Sequence, residues 1–357
     1  MNRRWICTDV WMDILPSFDH AQLGLKMALL SDRFDILVDT HFDDKTTKLT
    51  ILRKITICKD EGPEPKLSVW IDDNLVEFPL PDRPLPNKIR FKNLNIWYID
   101  HSVIEFLRSN KQIWDSSGTK LGLYVDSNET EDEQLIWDVF IRQIWPVFAP
   151  NIRHLSFDIG SLGNLRRRTS PTLLTDLDQV HSIDIYNLFP DAIADDGPNA
   201  TVGQALSKWL HTPTTDGRAK RLFCAYYDEE VNLDWVNSFK EAFPRATASV
   251  NYIIRIDVII MPTEPFELVN ERTKEKLTLE KVSRYGVGGH WLLKRCPISE
   301  KAAAIQWEND EYWDANLNNV NFFLWGDINK SIGPLSPPAA EEEKEEEEED
   351  ECNKNVI

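Results

Sequence analysis

The sequence predicts an α/β fold in which a small helical module precedes a large domain of alternating strands and helices. Residues 6–42 show helical periodicity, and from about residue 88 strand-like and helix-like segments alternate roughly every 30 residues. The chain of 357 residues is also longer than a single hydrophobic core usually serves. We therefore divide it into a helical module (1–44), a β-hairpin segment with a Pro-rich connector (45–87), an α/β domain (88–330) and a disordered acidic tail (331–357).

The N-terminal module is predicted to contain three short helices within residues 6–42. Asp19, with Gln22 three residues later, is typical of a helix start, and Ser31 can cap the next helix. Apolar residues then recur at helical spacing on two faces of the module. Three short helices cannot bury two apolar faces by themselves, so part of this surface must meet either the rest of the chain or another protein.

Extended segments follow the module. Residues 45–60 and 66–80 alternate apolar and polar side chains, with a turn predicted at Asp72-Asp73-Asn74. The prolines that come next predict a stiff connector. Near the other end of the chain, residues 266–279 predict a second hairpin, and a further strand begins at His290.

The α/β domain is predicted from a strand-then-helix rhythm, which indicates a largely parallel sheet. Its strands are centred on Leu94, Leu123, Leu155, Ile183, Phe223 and Ile254. Ser102 with Glu105, and Thr201 with Gln204, have the spacing of helix starts. The repeats share no motif, so two alternatives stay open: an arc like that of leucine-rich repeats, or a closed, irregular α/β domain. Residues 300–326 are predicted as a helix and a strand that cover the core.

Charge is distributed unevenly along the chain. Glu341–Glu351 contains ten acidic residues and one Lys, so it carries −9 of the total of −19 and leaves −10 for the rest. Such a segment is predicted to be disordered. An acidic chain lacks the clustered basic surface that nucleic acids require, so we expect no nucleic-acid partner. The short basic run Arg166-Arg167-Arg168 is predicted to be a solvated helix face or turn.

Five scattered Cys residues, with no C-x-x-C pair, favour a reducing compartment over a disulfide framework or a zinc site. Asp9 and Asp13 interrupt any apolar region of a signal peptide. No apolar stretch reaches the ~20 residues that span a bilayer. We therefore predict a cytoplasmic and/or nuclear protein that does not bind membranes.

Motifs with known chemistry are missing. The sequence contains no phosphate-binding loop, no zinc-protease helix and no nucleophile elbow. Gly160-Ser161-Leu162-Gly163 and Gly286-Val287-Gly288-Gly289 are both predicted to be turns. Asp100-His101-Ser102 places three catalytic residue types side by side, but Ser102 is better explained as a helix cap. We predict no catalytic residue, no cofactor and no metal; a hydrolase that uses scattered carboxylates is the weakest alternative.

The stretch from Ile6 to Asp39 resembles an F-box. Its acidic-Ile-Leu element is Asp13-Ile14-Leu15, and the family's spacing continues without a gap through Phe18-Asp19, Leu23, Leu25, Ala28, Leu29, Leu30, Ser31, Arg33, Phe34, Leu37 and Val38. Two positions depart from the family pattern: Ile6-Cys7 stands where Leu-Pro is usual, and Phe34 where Trp is common. Most of residues 45–300 is similar to the associated domain of a nematode F-box family, in strings such as IDHSVIEFL and LLKRCPI.

This resemblance implies a non-catalytic, substrate-recognition adaptor of an SCF-type cullin–RING ubiquitin ligase. The F-box would dock the Skp adaptor, and through it the cullin, while the α/β domain would hold a protein substrate of unknown identity. The alternative is a protein-binding scaffold that has lost ligase coupling, which the Cys7 departure motivates. The expected Skp interface consists of apolar side chains: Ile6, Val10, Ile14, Leu15, Phe18, Leu23, Leu29, Leu30 and Phe34.

Overall fold

The computed structural model describes residues 6–44, 50–60, 62–71, 74–86, 89–115, 118–125, 131–225, 234–258, 264–282, 290–298, 317–324 and 331–335. Within these residues, thirteen strands form one continuous sheet, which confirms the α/β class. The strands are β1 (Thr50–Cys58), β2 (Lys66–Ile71), β3 (Asn74–Pro79), β4 (Ile89–Ile96), β5 (Thr119–Val125), β6 (Ile152–Asp158), β7 (Ser182–Tyr186), β8 (Lys220–Ala225), β9 (Tyr252–Asp257), β10 (Phe266–Asn270), β11 (Glu275–Val282), β12 (His290–Pro297) and β13 (Asn318–Leu324).

The N-terminal module contains three helical stretches. Helix α1 (Thr8–Ile14) runs into a 3₁₀ turn, α2 (His20–Gln22) continues through π and 3₁₀ turns to Leu30, and α3 (Asp32–Asp44) closes the module. Both predicted caps of the module are confirmed. The Gln22 amide donates to the Asp19 carboxylate at 2.8 Å, and the Phe34 amide donates to the Ser31 hydroxyl at 3.4 Å.

The centre of the sheet is parallel. Its order is β10-β11-β12-β9-β8-β7-β6-β5-β13-β4-β1-β2-β3, and all neighbours from β9 to β1 run in the same direction. From β5 to β9 the chain adds each strand beside the previous one, so the order never reverses. Right-handed crossovers then place the connecting helices on one face of the sheet. The described helices of this domain are α4 (His101–Ser109), α5 (Lys111–Asp115), α6 (Glu131–Val139), α7 (Trp145–Phe148), α8 (Ile159–Arg168), α9 (Leu173–Asp176), α10 (Val202–Leu210) and α11 (Asp234–Ala242).

Antiparallel strands close both ends of the sheet. β2 and β3 form the predicted first hairpin beside β1, while β12, β11 and β10 continue outward from β9. Because β1 pairs with β4, the sheet passes from the 45–87 segment into the 88–330 segment without a break. The hairpin segment and the α/β domain therefore share one sheet.

The two faces of the sheet differ in chemistry. On β13, the Phe322 ring contacts Phe140 and Phe148 from the helical layer, whereas the next residue, Phe323, contacts Tyr124 on the opposite face. Buried aliphatic side chains fill the helix-covered face. Polar and aromatic side chains occupy the other face, which we call the polar face. One row across it runs from Asn95 of β4 and Asn321 of β13, past Gly122 of β5, to Ser156 of β6 and Asp184 of β7, and then past Phe223 of β8 to Arg255 of β9.

β13 lies at a position that the sequence did not predict. Residues 300–326 were expected to cover the core, but β13 is a central strand between β4 and β5. Its Asn319 amide donates to Asn93 at 2.9 Å, across a separation of 226 residues. Residues 318–324 therefore complete the sheet instead of covering it.

Three local predictions are corrected by the structure. Helix α4 is capped by Asp100, whose carboxylate accepts from the Val103 amide at 3.0 Å, while the Ser102 hydroxyl donates to that same carboxylate. Gly160-Ser161-Leu162-Gly163 lies in helix α8 and is not a turn, because Asp158 caps a helix that begins at Ile159.

Arg166 is the third correction, since it is buried and not solvated. Its guanidinium donates to the carbonyl oxygens of Pro171, Ala200 and Thr201, and burial lowers its pKa. It thus satisfies the backbone of the loop before α10. The capping box predicted at Thr201 is confirmed, with both reciprocal hydrogen bonds to Gln204.

Some predictions lie outside the described residues. They include the Gly286–Gly289 turn, the helix expected ahead of β13 within residues 300–326, and the acidic tail beyond residue 335. Among the residues that are described, no helix is long and apolar enough to cross a membrane.

Candidate interaction surfaces

The N-terminal module buries one of its two apolar faces inside the chain. Leu15 and Leu23 are fully buried, so neither side chain is available to a partner in this arrangement. A Cβ placed on Gly24 would meet the side chain of Ile89 in β4, which shows how closely the module approaches the sheet. The rest of the chain therefore accounts for much of the apolar surface that the sequence left without a partner.

The other predicted interface residues divide by exposure. Ile6, Val10 and Leu30 are 46%, 44% and 60% exposed, which is unusual for large apolar side chains. Ile6 lies just before α1 and Val10 lies on it, so both belong to the start of the module. The remaining predicted residues are half-buried: Ile14, Phe18, Leu29 and Phe34.

Contacts between α1 and α3 fix the exposed residues in place. The Arg33 guanidinium donates to the Ile6 carbonyl oxygen at 2.7 Å, and the rings of Trp11 and Phe34 meet edge to face with centroids 4.8 Å apart. Sequence reasoning missed Ile36, which lies on α3 and is 66% exposed. The module thus presents apolar side chains from α1, from the turn before α3 and from α3 itself.

A second candidate surface lies on the polar face of the sheet. Five aromatic side chains, from five strands or their ends, contact one another in a continuous line that we call the aromatic stripe: Trp97, Phe323, Tyr124, Tyr186 and Phe223. Successive ring centroids are 5.0, 5.0, 6.5 and 6.2 Å apart. The stripe therefore crosses the strands near their carboxyl ends.

One end of the aromatic stripe carries a cation. The Arg255 guanidinium lies over the Phe223 ring, 5.1 Å from its centroid. The same guanidinium donates to both carboxylate oxygens of Asp257, at 3.3 and 3.2 Å, and lies beside His290. A cation held against an aromatic ring and a carboxylate is therefore already present on this surface.

Ionic and hydroxyl contacts hold the side chains at the centre of the polar face in place. Lys120 and His154 approach the Asp184 carboxylate at 2.7 and 2.9 Å. Burial alone would raise the pKa of Asp184, but these two neighbours overcome that effect and lower it. The Tyr124 hydroxyl and the Ser156 hydroxyl share a hydrogen bond of 2.7 Å, which fixes the Tyr124 ring. The surface is thus preorganised by its own contacts.

Neither surface has the composition of a metal centre. Among the described residues, no group of three or more His, Cys, Asp or Glu side chains is placed to hold a metal ion. Comparison with known proteins adds no assignment, because no family model matches the chain and no curated protein matches it. The function must therefore be argued from the two surfaces themselves.

Proposed function

We propose that this protein is the substrate-recognition adaptor of an SCF-type cullin–RING ubiquitin ligase, with the N-terminal module acting as an F-box. The observation that carries the proposal is the exposure of Ile6, Val10 and Leu30 on a module whose other apolar face is already buried. Exposed apolar residues that neighbouring contacts hold in place are typical of a protein interaction site. The spacing of the module resembles that of an F-box, with Ile6-Cys7 standing where Leu-Pro is usual.

The second part of the proposal assigns substrate binding to the polar face of the α/β domain. Strands that follow one another in the sheet, with the described helices on one face, support the leucine-rich-repeat-like arrangement over a closed one. Repeat folds of this kind use an extended sheet face for binding. The aromatic stripe provides Trp and Tyr side chains, which are enriched at protein interfaces.

The experiment is co-purification of the full chain with the Skp adaptor. Val10→Asp places a charge on the exposed side of α1, where the fold tolerates it, and we expect at least about a tenfold loss of captured adaptor. Ile193→Asp is the matched control, since Ile193 is 66% exposed and lies outside the module. Equal capture by both variants and the unchanged protein would contradict the proposal.

Residues with buried side chains are unsuitable for this test. Leu15 is fully buried, so Leu15→Asp would unfold the module whether or not an adaptor binds. Ubiquitin transfer to a bound partner distinguishes the adaptor from a scaffold without ligase coupling. A scaffold would retain its partner and show no transfer in the reconstituted ligase.

A further inference from the structure

We infer that the aromatic stripe binds a basic polypeptide segment, with Arg or Lys side chains laid against the rings and their charged groups directed at carboxylates along the carboxyl ends of the strands. This inference rests on the proposed function, because it names the substrate chemistry that the α/β domain would select. Three features of the surface support it: exposed aromatic area, an internal example of the same contact, and the sign of the surrounding charge.

The first feature is the exposed aromatic area. Trp97 is 42% exposed at the end of the stripe, and the other four residues are half-buried. Phe323 stacks between Trp97 and Tyr124 with interplanar angles of 26° and 8°, so its neighbours cover both faces of the Phe323 ring. Long aliphatic stems pack well on such a row, while their charged ends reach past it to water or to a counter-ion.

The second feature is an internal example of the contact. Arg255 covers the Phe223 ring and is tied to the Asp257 carboxylate at the carboxyl end of β9. Part of this combination recurs three strands away, where Asp158 ends β6 between the strands that carry Tyr124 and Tyr186, with one carboxylate oxygen accepting from the Ser161 amide of α8. A guanidinium from another polypeptide would repeat there the arrangement that the chain makes with its own Arg255.

The third feature is charge. β6 ends in Asp158 and β9 ends in Asp257, while Asp100 follows shortly after the end of β4. With a net charge of −19, the chain attracts basic segments and repels acidic ones. Acidic peptides and nucleic acids are therefore poor occupants of this stripe.

Spacing favours an extended segment. Alternate residues of an extended chain lie about 6.7 Å apart on the same side, and neighbouring rings of the stripe are 5.0–6.5 Å apart. A segment with Arg at alternate positions can therefore lay successive stems along the row, over the edges of successive rings. The intervening residues would face away from the sheet.

The test uses the full chain and a fluorescent peptide of alternating Arg and Ser, with a Glu-for-Arg peptide as the charge control. Binding is measured by fluorescence anisotropy with unchanged protein, Trp97→Ala and Trp70→Ala. Trp70 is 58% exposed on β2 and lies away from the stripe, so it is the matched control. We expect Trp97→Ala to weaken binding of the Arg peptide about five- to tenfold, with Trp70→Ala unchanged and no binding of the Glu peptide.

Two outcomes would overturn the inference. One is equal affinity in both Trp variants, which would place the Arg peptide on other acidic segments such as Glu341–Glu351. The other is no binding of the Arg peptide at all. Neither outcome affects capture of the Skp adaptor, which depends on Val10, so failure of this inference is distinguishable from failure of the proposed function.

Discussion

The buried ion pair between Glu275 and Arg295 offers a quantitative test of the fold. Glu275 is 0% exposed and Arg295 only 4%, where β11 and β12 pair near the helical layer. One Glu275 oxygen accepts from Arg295 Nε and Nη2 at 3.1 and 2.7 Å. The other accepts from the Ser249 hydroxyl at 2.8 Å and the Val250 amide at 2.7 Å. All four bonds depend on a single carboxylate.

Glu275→Gln keeps the shape of this side chain but removes its charge, which leaves the buried Arg295 without its counter-ion. Breaking a buried pair in this way costs about 3–5 kcal/mol of unfolding free energy. The matched control is Glu77→Gln, because Glu77 pairs with Lys66 at 2.8 Å with both side chains about 40% exposed. An exposed pair contributes about 0–1 kcal/mol, so this variant should remain close to the unchanged protein.

Urea denaturation followed by tryptophan fluorescence measures both variants under the same conditions. The denaturation midpoint of Glu275→Gln should fall clearly, with a similar slope. Adding Arg295→Met to Glu275→Gln should recover part of the loss, because the uncompensated charge is then removed. If Glu275→Gln costs no more than Glu77→Gln, the assignment of a buried, charge-dependent contact is refuted.

Two further predictions concern the interior. Burial lowers the pKa of Lys220 to about 8, whereas an unfolded lysine titrates near about 10.4. The unfolded state therefore binds more protons than the folded state between these two pH values. The unfolding free energy of the unchanged protein should rise with pH across this window relative to that of Lys220→Met. If the two proteins differ in urea midpoint by the same amount at every pH, this prediction is wrong. Gly24→Val should destabilise the protein by about 1–3 kcal/mol because it meets the buried Ile89 side chain. Ile89→Ala in the same chain should restore part of that loss, and strictly additive losses would exclude the contact.

The parallel core was predictable because its signals are local. Strand centres such as Leu155 and Ile183 lie in short apolar runs, and Thr201 with Gln204 marks the start of the helix between two strands. These patterns act within a few residues of one another. They place each strand in sequence order, which is also the order of β5 to β9 in the sheet.

The position of β13 was not predictable in the same way. Its pairing partners β4 and β5 lie about 200 residues earlier in the chain, and no local pattern identifies a partner over that distance. The prediction that Ser102 caps α4 was wrong for a different reason, because Asp100 is an equally good cap two residues earlier. Sequence patterns identify that a helix begins in this region more reliably than they identify its first residue.

The aromatic stripe was missed although it leaves a trace in the sequence. Tyr124, Tyr186 and Phe323 each directly follow a buried apolar residue near the end of a strand: Leu123, Ile185 and Phe322. Because side chains alternate along a strand, an aromatic residue at that position faces away from the core. Comparing the strand ends with one another would reveal the stripe, whereas each strand taken alone shows only an alternation of apolar and polar residues.

The positions of the two surfaces have a consequence for an adaptor, which must hold the ligase and its substrate together. Ile89, at the amino end of β4, meets Gly24 of the module. The aromatic stripe lies near the carboxyl ends of the strands. A partner on the module is therefore centred at the other end of the strands, and we expect Val10→Asp to leave binding of the Arg peptide unchanged. Coupled losses at the two sites would mean that the sheet transmits a conformational change along its strands.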